Sequence, residues 1–160
     1  MLKLLLIGLV FIGSLAFAAN CRAESETDGK NEKYATRTLD EGTAIKLVIG
    51  NTEIPGLLNN SKSAQALVSK LPYTVKLQRY AHDYCGVMND ALPYDKQDMK
   101  DGWLNGDIAF AVNGNYFTIL YKDEEISKQF DGIVNMGIIK APLSVMDTLD
   151  GSITVRIELE

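Results

Sequence analysis

The chain has 160 residues, a length that predicts one folded domain. Its 16 Lys plus Arg stand against 21 Asp plus Glu, a formal charge of -5, and with no concentrated basic patch this balance excludes a nucleic-acid binder. Gly50, Gly56, Gly86, Gly102 and Gly106 are dispersed turn signals with no strand, GxGxxG and helix in order, so no nucleotide or other cofactor is expected.

Lys3 precedes an apolar run from Leu4 to Ala19, shorter than the roughly 20 residues of a bilayer crossing. The run ends in the small residues Ala16, Ala18 and Ala19, so residues 1–23 are expected to be a cleaved signal peptide and the protein to be exported, to a periplasm, a cell surface or the medium. Cys21, just past the apolar run, offers a lipid anchor, although Asn20 stands where a lipobox usually carries Gly, Ala or Ser. With residues 1–23 removed, Cys85 is the one remaining cysteine, and the product has no internal disulfide. Residues 24–42 are polar and charged, with Tyr34, Ala35 and Leu39 as the only anchors, and read as a flexible linker. The folded domain is expected over residues 43–160.

AIKLVI at residues 44–49 puts Ile45, Leu47 and Ile49 on one face of a strand. Gly50-Asn51 turns the chain into a second strand over residues 53–58, where Pro55 predicts an edge or a bulge. Asn59, Asn60 and Ser61 can cap a helix in which Ala64, Leu67, Val68 and Leu71 share a face, and Pro72 ends it. Strict alternation in YTVKLQRY, with Tyr73, Val75 and Leu77 on one side, predicts the next strand. Residues 81–102 lack a period and read as a strand fragment and a long loop. GDIAFAV at residues 106–112 and YFTILY at residues 116–121 form a hairpin around Asn113-Gly114, the pair a two-residue primed turn demands. Its second strand is apolar on both faces, so it runs centrally or beneath a helix. Residues 122–132 are a charged excursion, residues 134–139 a strand, and residues 142–149 a short helix. SITVRIELE closes the chain on a strand with Ile153, Val155, Ile157 and Leu159 inward. Antiparallel hairpins without regular strand-helix units predict a mainly β barrel or sandwich.

Three chemistries are visible as residue types. Arg79 can donate to a polar group, with Tyr80, Tyr84, Phe110 and Tyr121 as apolar walls of a ligand-binding groove; the competing assignment is that these aromatics fill the barrel and Arg79 points to water. His82, Asp83 and Cys85 in RYAHDYC hold the types of a nucleophilic or zinc site, but two ligands without a second pair fall short of zinc, and Cys85 reads as a small buried side chain. Asp95, Asp98 and Asp101 lack the glycine and terminal glutamate of a calcium loop and read as solvated surface. No catalytic residue and no metal site is expected.

The order of elements resembles the bacterial cyclophilin-like domain proteins, small barrels related to the peptidyl-prolyl isomerases. The resemblance is carried by residues 44–80, by NDALPY at residues 89–94, by LNGDIAFAVNGNYFTILY at residues 104–121 and by NMGIIKAPLSVMDTL at residues 135–149, with the Leu71-Pro72 helix exit and the Gly106-Asp107-Ile108 strand start as its most specific pieces. It implies a closed β-barrel of about eight strands with one or two capping helices, and a surface groove that in true cyclophilins receives a proline-containing peptide. The Phe-His-Arg run that follows the first helix of true cyclophilins is absent here, where the strand reads YTVKLQRY and contributes Arg79. The function expected is therefore an exported module that binds a peptide or small molecule; the alternative is a weak peptidyl-prolyl cis-trans isomerase acting on exported proteins.

Overall fold

A computed structural model describes residues 33–35, 39 and 41–160. The expected signal peptide, Cys21 and most of the linker lie outside the described residues. Within the linker, Lys33–Ala35 is not free of the domain: Tyr34 bridges to Asp101, the Ala35 amide donates to the Asp101 carbonyl (3.0 Å), and the Asp101 amide donates to Lys33 (2.8 Å).

The alternating segments become β1 (Thr43–Ile49), β2 (Thr52–Leu58), β3 (Tyr73–Arg79), β4 (Asp83–Val87), β5 (Met99–Lys100), β6 (Asp107–Ala111), β7 (Tyr116–Leu120), β8 (Ile133–Ile139) and β9 (Ser152–Leu159), with one α-helix, α1 (Lys62–Val68). Eight of these strands close on themselves in the order β2-β1-β9-β3-β4-β7-β6-β8 and back to β2, every pair antiparallel, while the two-residue β5 adds only to β8. The barrel interior is filled by the inward set of each strand: Ile45 and Leu47, Ile54 and Leu58, Val75 and Leu77, Tyr84, Ile108 and Phe110, Phe117 and Ile119, Val134 and Met136, and Ile153, Val155 and Ile157. Leu159, expected inward, lies past the last packed layer and is exposed.

Helix α1 follows the Leu58 end of β2 and precedes β3, so it covers one mouth. Ser61 caps it, its side chain accepting from the Ala64 amide (3.2 Å), and Ala64 and Leu67 are its buried face. At the other end of β3, the 3-10 turn Leu143–Thr148 sets Met146 into the opposite mouth.

Pro55 is explained by where its ring nitrogen points. The Pro55 carbonyl accepts from the Lys140 amide (2.8 Å), so its missing N–H faces the β8 side, just before the β2–β8 pairing begins at Gly56↔Ile139. That pairing spans three residue pairs and ends at Leu58↔Gly137. Opposite it, β8 carries a bulge, seen as the register step between Ile108 and Ala109 on β6. Asn59 takes up the backbone groups of the bulge. Its amide N–H donates to the Met136 carbonyl (2.8 Å), and its side-chain Nδ2 donates to the Asn135 carbonyl (2.9 Å) and to Asn135 Oδ1 (3.0 Å).

The β6–β7 hairpin differs from the two-residue primed turn. Ala111↔Tyr116 is the last pair, residues 112–115 form the turn, and Asn115 rather than Gly114 holds the left-handed conformation (φ 56°). Asn115 is fastened from outside the hairpin: its Nδ2 donates to the Met88 carbonyl (2.8 Å), and its own carbonyl accepts from the Met88 amide (2.9 Å). This tertiary tie to the segment after β4 replaces the local Asn-Gly preference.

A Cβ on Gly137 would stand 2.2 Å from the Leu57 carbonyl oxygen and 2.9 Å from Leu58 Cα, both backbone atoms of the closing strand. Gly137→Ala is expected to lower stability by about 1 to 3 kcal/mol, read as the urea midpoint. Gly151→Ala, where a Cβ meets nothing within 4 Å, is expected to stay within about 0.5 kcal/mol of the parent.

Candidate functional site

Because side chains alternate along a strand, the residues between the core positions form an outer wall. On β4 the inward Tyr84 is flanked by the outward Asp83 and Cys85; on β7, Phe117 and Ile119 are flanked by Tyr116, Thr118 and Leu120. The wall continues through Ala111 of β6 and Ile133 of β8. Over it lies a cavity of about 450 Å³, lined by these residues and by His82, Trp103, Asn113, Gln129, Phe130 and Asp131.

Two irregular segments raise the sides of the cavity. The 122–132 excursion leaves the end of β7 tied to β4, the Tyr121 and Lys122 amides both donating to the His82 carbonyl (3.0 and 3.3 Å), and it contains the 3-10 helix Glu124–Gln129. The segment after β5 is laced to it: Trp103 Nε1 donates to the Lys122 carbonyl (2.9 Å), Ser127 Oγ donates to the Trp103 carbonyl (3.0 Å), and the Gly102 amide donates to the Phe130 carbonyl (2.7 Å). Gly102 has φ +77°, and a Cβ there would stand 2.6 Å from Ser127 Oγ, so this contact requires glycine. The lacing brings three rings into one cluster, with centroids 5.6 Å apart for His82 and Trp103, 5.7 Å for His82 and Phe130, and 5.2 Å for Trp103 and Phe130. On its other side the excursion is held to the hairpin turn, where the Val112 amide donates to the Gly132 carbonyl (3.0 Å) and Asn113 Nδ2 to Asp131 Oδ1 (3.1 Å).

The polar floor is small. Thr118 donates to Asp83 Oδ2 (2.7 Å), the two side chains being diagonal neighbours across the β4–β7 pair. Burial raises the Asp83 carboxyl above the ordinary carboxylate range, with the hydrogen bonds from Thr118 and the Cys85 thiol and the nearby His82 pulling the other way. Burial, and then the Asp83 charge, push the Cys85 thiol up to about 12. A cysteine held in its thiol form lacks the thiolate a nucleophile needs. His82 Nδ1 lies 2.6 Å from Asp123 Oδ2 and donates to it, so the ring is oriented by a carboxylate outside the cavity rather than by Cys85. His82, Asp83 and Cys85 thus line one cavity, with Asp83 and Cys85 on its floor beside Thr118 and His82 in its aromatic side.

The five residues singled out for ligand contact lie elsewhere. Tyr84, Phe110 and Tyr121 are buried in the barrel, with Tyr84 and Tyr121 stacked at 5.8 Å. Arg79 lies over the Tyr84 ring and is held there: its Nε donates to the Tyr84 hydroxyl (2.7 Å), and its guanidinium reaches the carbonyls of Met146 and Leu149. The Tyr84 hydroxyl in turn donates to the Asp150 carbonyl (2.8 Å). Tyr80 is 58% exposed and joins neither group. None of the five lines the outer cavity. Asp95 and Asp101 face Lys62 (3.2 Å) and Lys33 (2.9 Å).

Sequence reasoning missed Trp103, Thr118, Phe130 and Asp131. One signal was present: the outward positions of β7 include Leu120, and an apolar outer face requires a cover.

A closed eight-stranded antiparallel barrel with short helices at its mouths is a cyclophilin-like architecture. The model of the cyclophilin-like family matches residues 47–158, and the chain belongs to that family. Among solved structures, the solution structure of the hypothetical protein AF2241 from Archaeoglobus fulgidus matches with a TM-score of 0.58 at 15% identity, over 77% of this chain and 100% of that one, a likeness of fold alone. No curated protein matches the sequence.

The raised Asp83 carboxyl has a consequence for stability. A folded state that prefers the protonated acid is most stable below the unfolded carboxylate pKa, and loses that contribution as pH rises through the raised folded value. Asp83→Asn keeps an acceptor for Thr118 and removes the charge. It is expected to unfold at a higher temperature than the parent at neutral pH, and at the same temperature near about pH 3, where the parent acid is protonated in both states. Calorimetry at the two pH values reads the difference.

Proposed function

We propose that the protein is an exported binding module, and that its ligand site is the cavity on the outer wall of the barrel. One observation carries this reading: a cavity of about 450 Å³, within the range of ligand pockets, joins an aromatic side of His82, Trp103 and Phe130 to a single partly buried carboxylate, Asp83. Apolar walls supply affinity and a few placed polar groups fix orientation, the usual division of labour in a ligand site. The ligand is a small molecule or one or two side chains of a peptide.

Isomerisation of a prolyl bond is the second reading, and it asks for a donor near the twisted amide. Arg79 is committed to Tyr84 and two carbonyls away from the cavity, and the Thr118 hydroxyl is given to Asp83. Binding without catalysis is therefore the reading adopted.

Trp103 is the single tryptophan of the chain and lies on the cavity wall, so its fluorescence reports occupancy. In a titration with a set of neutral, cationic and anionic fragments, at least one is expected to change Trp103 emission saturably and to move the amide signals of Cys85, Thr118 and Phe130. If no fragment moves those signals, the site is not a ligand pocket. The same sample is expected to leave the cis-trans exchange of an Ala-Pro peptide unchanged; concentration-dependent acceleration would establish the isomerase instead.

Export rests on Lys3 and the apolar run from Leu4 to Ala19. Mass spectrometry of the protein from cells is expected to find an N-terminus between residues 19 and 24; an acylated Cys21 at that terminus would make it a lipoprotein, and a retained Met1 would refute processing.

A further inference from the structure

The polar part of the cavity holds two carboxylates, Asp83 and Asp131, and among the described residues that line it there is no lysine or arginine; Lys33, outside the lining, feels the Asp131 charge. Four surface carboxylates elsewhere sit on lysines, Glu53 on Lys46, Asp95 on Lys62, Asp90 on Lys70 and Asp147 on Lys122. The two carboxylates that line the cavity are served differently. Asp83 accepts from the Thr118 hydroxyl and Asp131 from the Asn113 amide, and no lining residue is Lys or Arg. The His82 ring turns its Nδ1 to Asp123, outside the lining.

Charge and ring electrostatics point the same way. The π-faces of Trp103 and Phe130 are the negative parts of their quadrupoles and attract cations. A carboxylate already drawn out of water by the wall around it gains most from an occupant that brings positive charge and loses most to one that only excludes more water. An anion would meet Asp83 and Asp131 together in a partly dry space.

Resting on the binding reading above, we propose that the occupant is an organic cation, a primary ammonium or guanidinium on an apolar body, with its charge at Asp83 and its body against Trp103 and Phe130. The cavity volume suits one ring or one long basic side chain. A free small amine and the basic side chain of an exported peptide present this same chemistry.

The test compares benzylammonium, benzyl alcohol, benzoate and Nα-acetyl-lysine amide, each titrated into the protein and followed by Trp103 emission and the Cys85 and Thr118 amide signals. Benzylammonium is expected to bind about tenfold tighter than benzyl alcohol, with benzoate unbound. Asp83→Asn is expected to bring benzylammonium down to the affinity of the alcohol while leaving the alcohol unchanged. Asp131→Asn, at an exposed rim position, is expected to weaken benzylammonium alone by a smaller factor. A stronger response to the lysine derivative assigns the source to basic peptides, and a stronger response to benzylammonium assigns it to small amines; either supports the proposal. Equal affinities for the ammonium and the alcohol, or tighter binding of benzoate, would overturn the cation and leave a binding pocket standing. Silence with all four probes would remove the pocket reading itself.

Discussion

The ring is closed by a short seam. All eight junctions of the barrel are antiparallel, and the one that brings β8 back to β2 spans three residue pairs, beside a bulge and next to a proline. What holds the junction is the close approach at Gly137, which lets the two backbones touch, and the reach of Asn59 to the backbone groups the bulge leaves unpaired. Buried backbone groups without partners cost as much as a lost hydrogen bond, so a bulge at this place is tolerable only with such a side chain available. The far end of β8 supplies Ile133 to the outer wall and pairs with β5.

Closure decides where a ligand can go. An eight-stranded barrel is about wide enough for its own side chains, and Tyr84, Phe110, Phe117 and Ile119 occupy that space. Open space then lies on the outside, where strand alternation delivers a second set of residues. On β4 the consequence is sharp: Tyr84 is core, anchored by its hydroxyl to the Asp150 carbonyl, while Asp83 and Cys85 on either side of it face the cavity. A change of register by one residue would exchange the two roles.

Most of the strands were legible because one face is wet. Ile45, Leu47 and Ile49, or Ile153, Val155 and Ile157, alternate with polar residues, and the period names both the strand and its buried side. Helix α1 was legible from Ser61 and its apolar spacing. The hairpin turn was misread because Asn113-Gly114 is a local signal, whereas the conformation of residues 112–115 is set by bonds between Asn115 and Met88, remote in sequence. The site was illegible for the same kind of reason. His82, Trp103, Thr118 and Phe130 meet through the β4–β7 register and through bonds between two irregular segments, neither of which leaves a period. Arg79 and the aromatics were conspicuous as residue types, yet three of those aromatics are core, and the arginine is bonded to Tyr84 and to the Met146 and Leu149 carbonyls.

The wall and the cover of the cavity are held in different ways. The floor residues stand on strands whose inward neighbours pack the core, so Asp83, Cys85 and Thr118 are held to rigid positions. The cover is made of loops joined by side-chain and main-chain bonds that do not enter the barrel, and such loops can vary without disturbing the core beneath them. Asp83 is held at a cost. Its carboxylate is disfavoured by burial, and a neutral residue there would serve the fold better at neutral pH. The acid stands beside the His82, Trp103 and Phe130 rings and shares the cavity lining with Asp131, which is bonded to Asn113, so the cost to the fold falls at the polar end of the cavity.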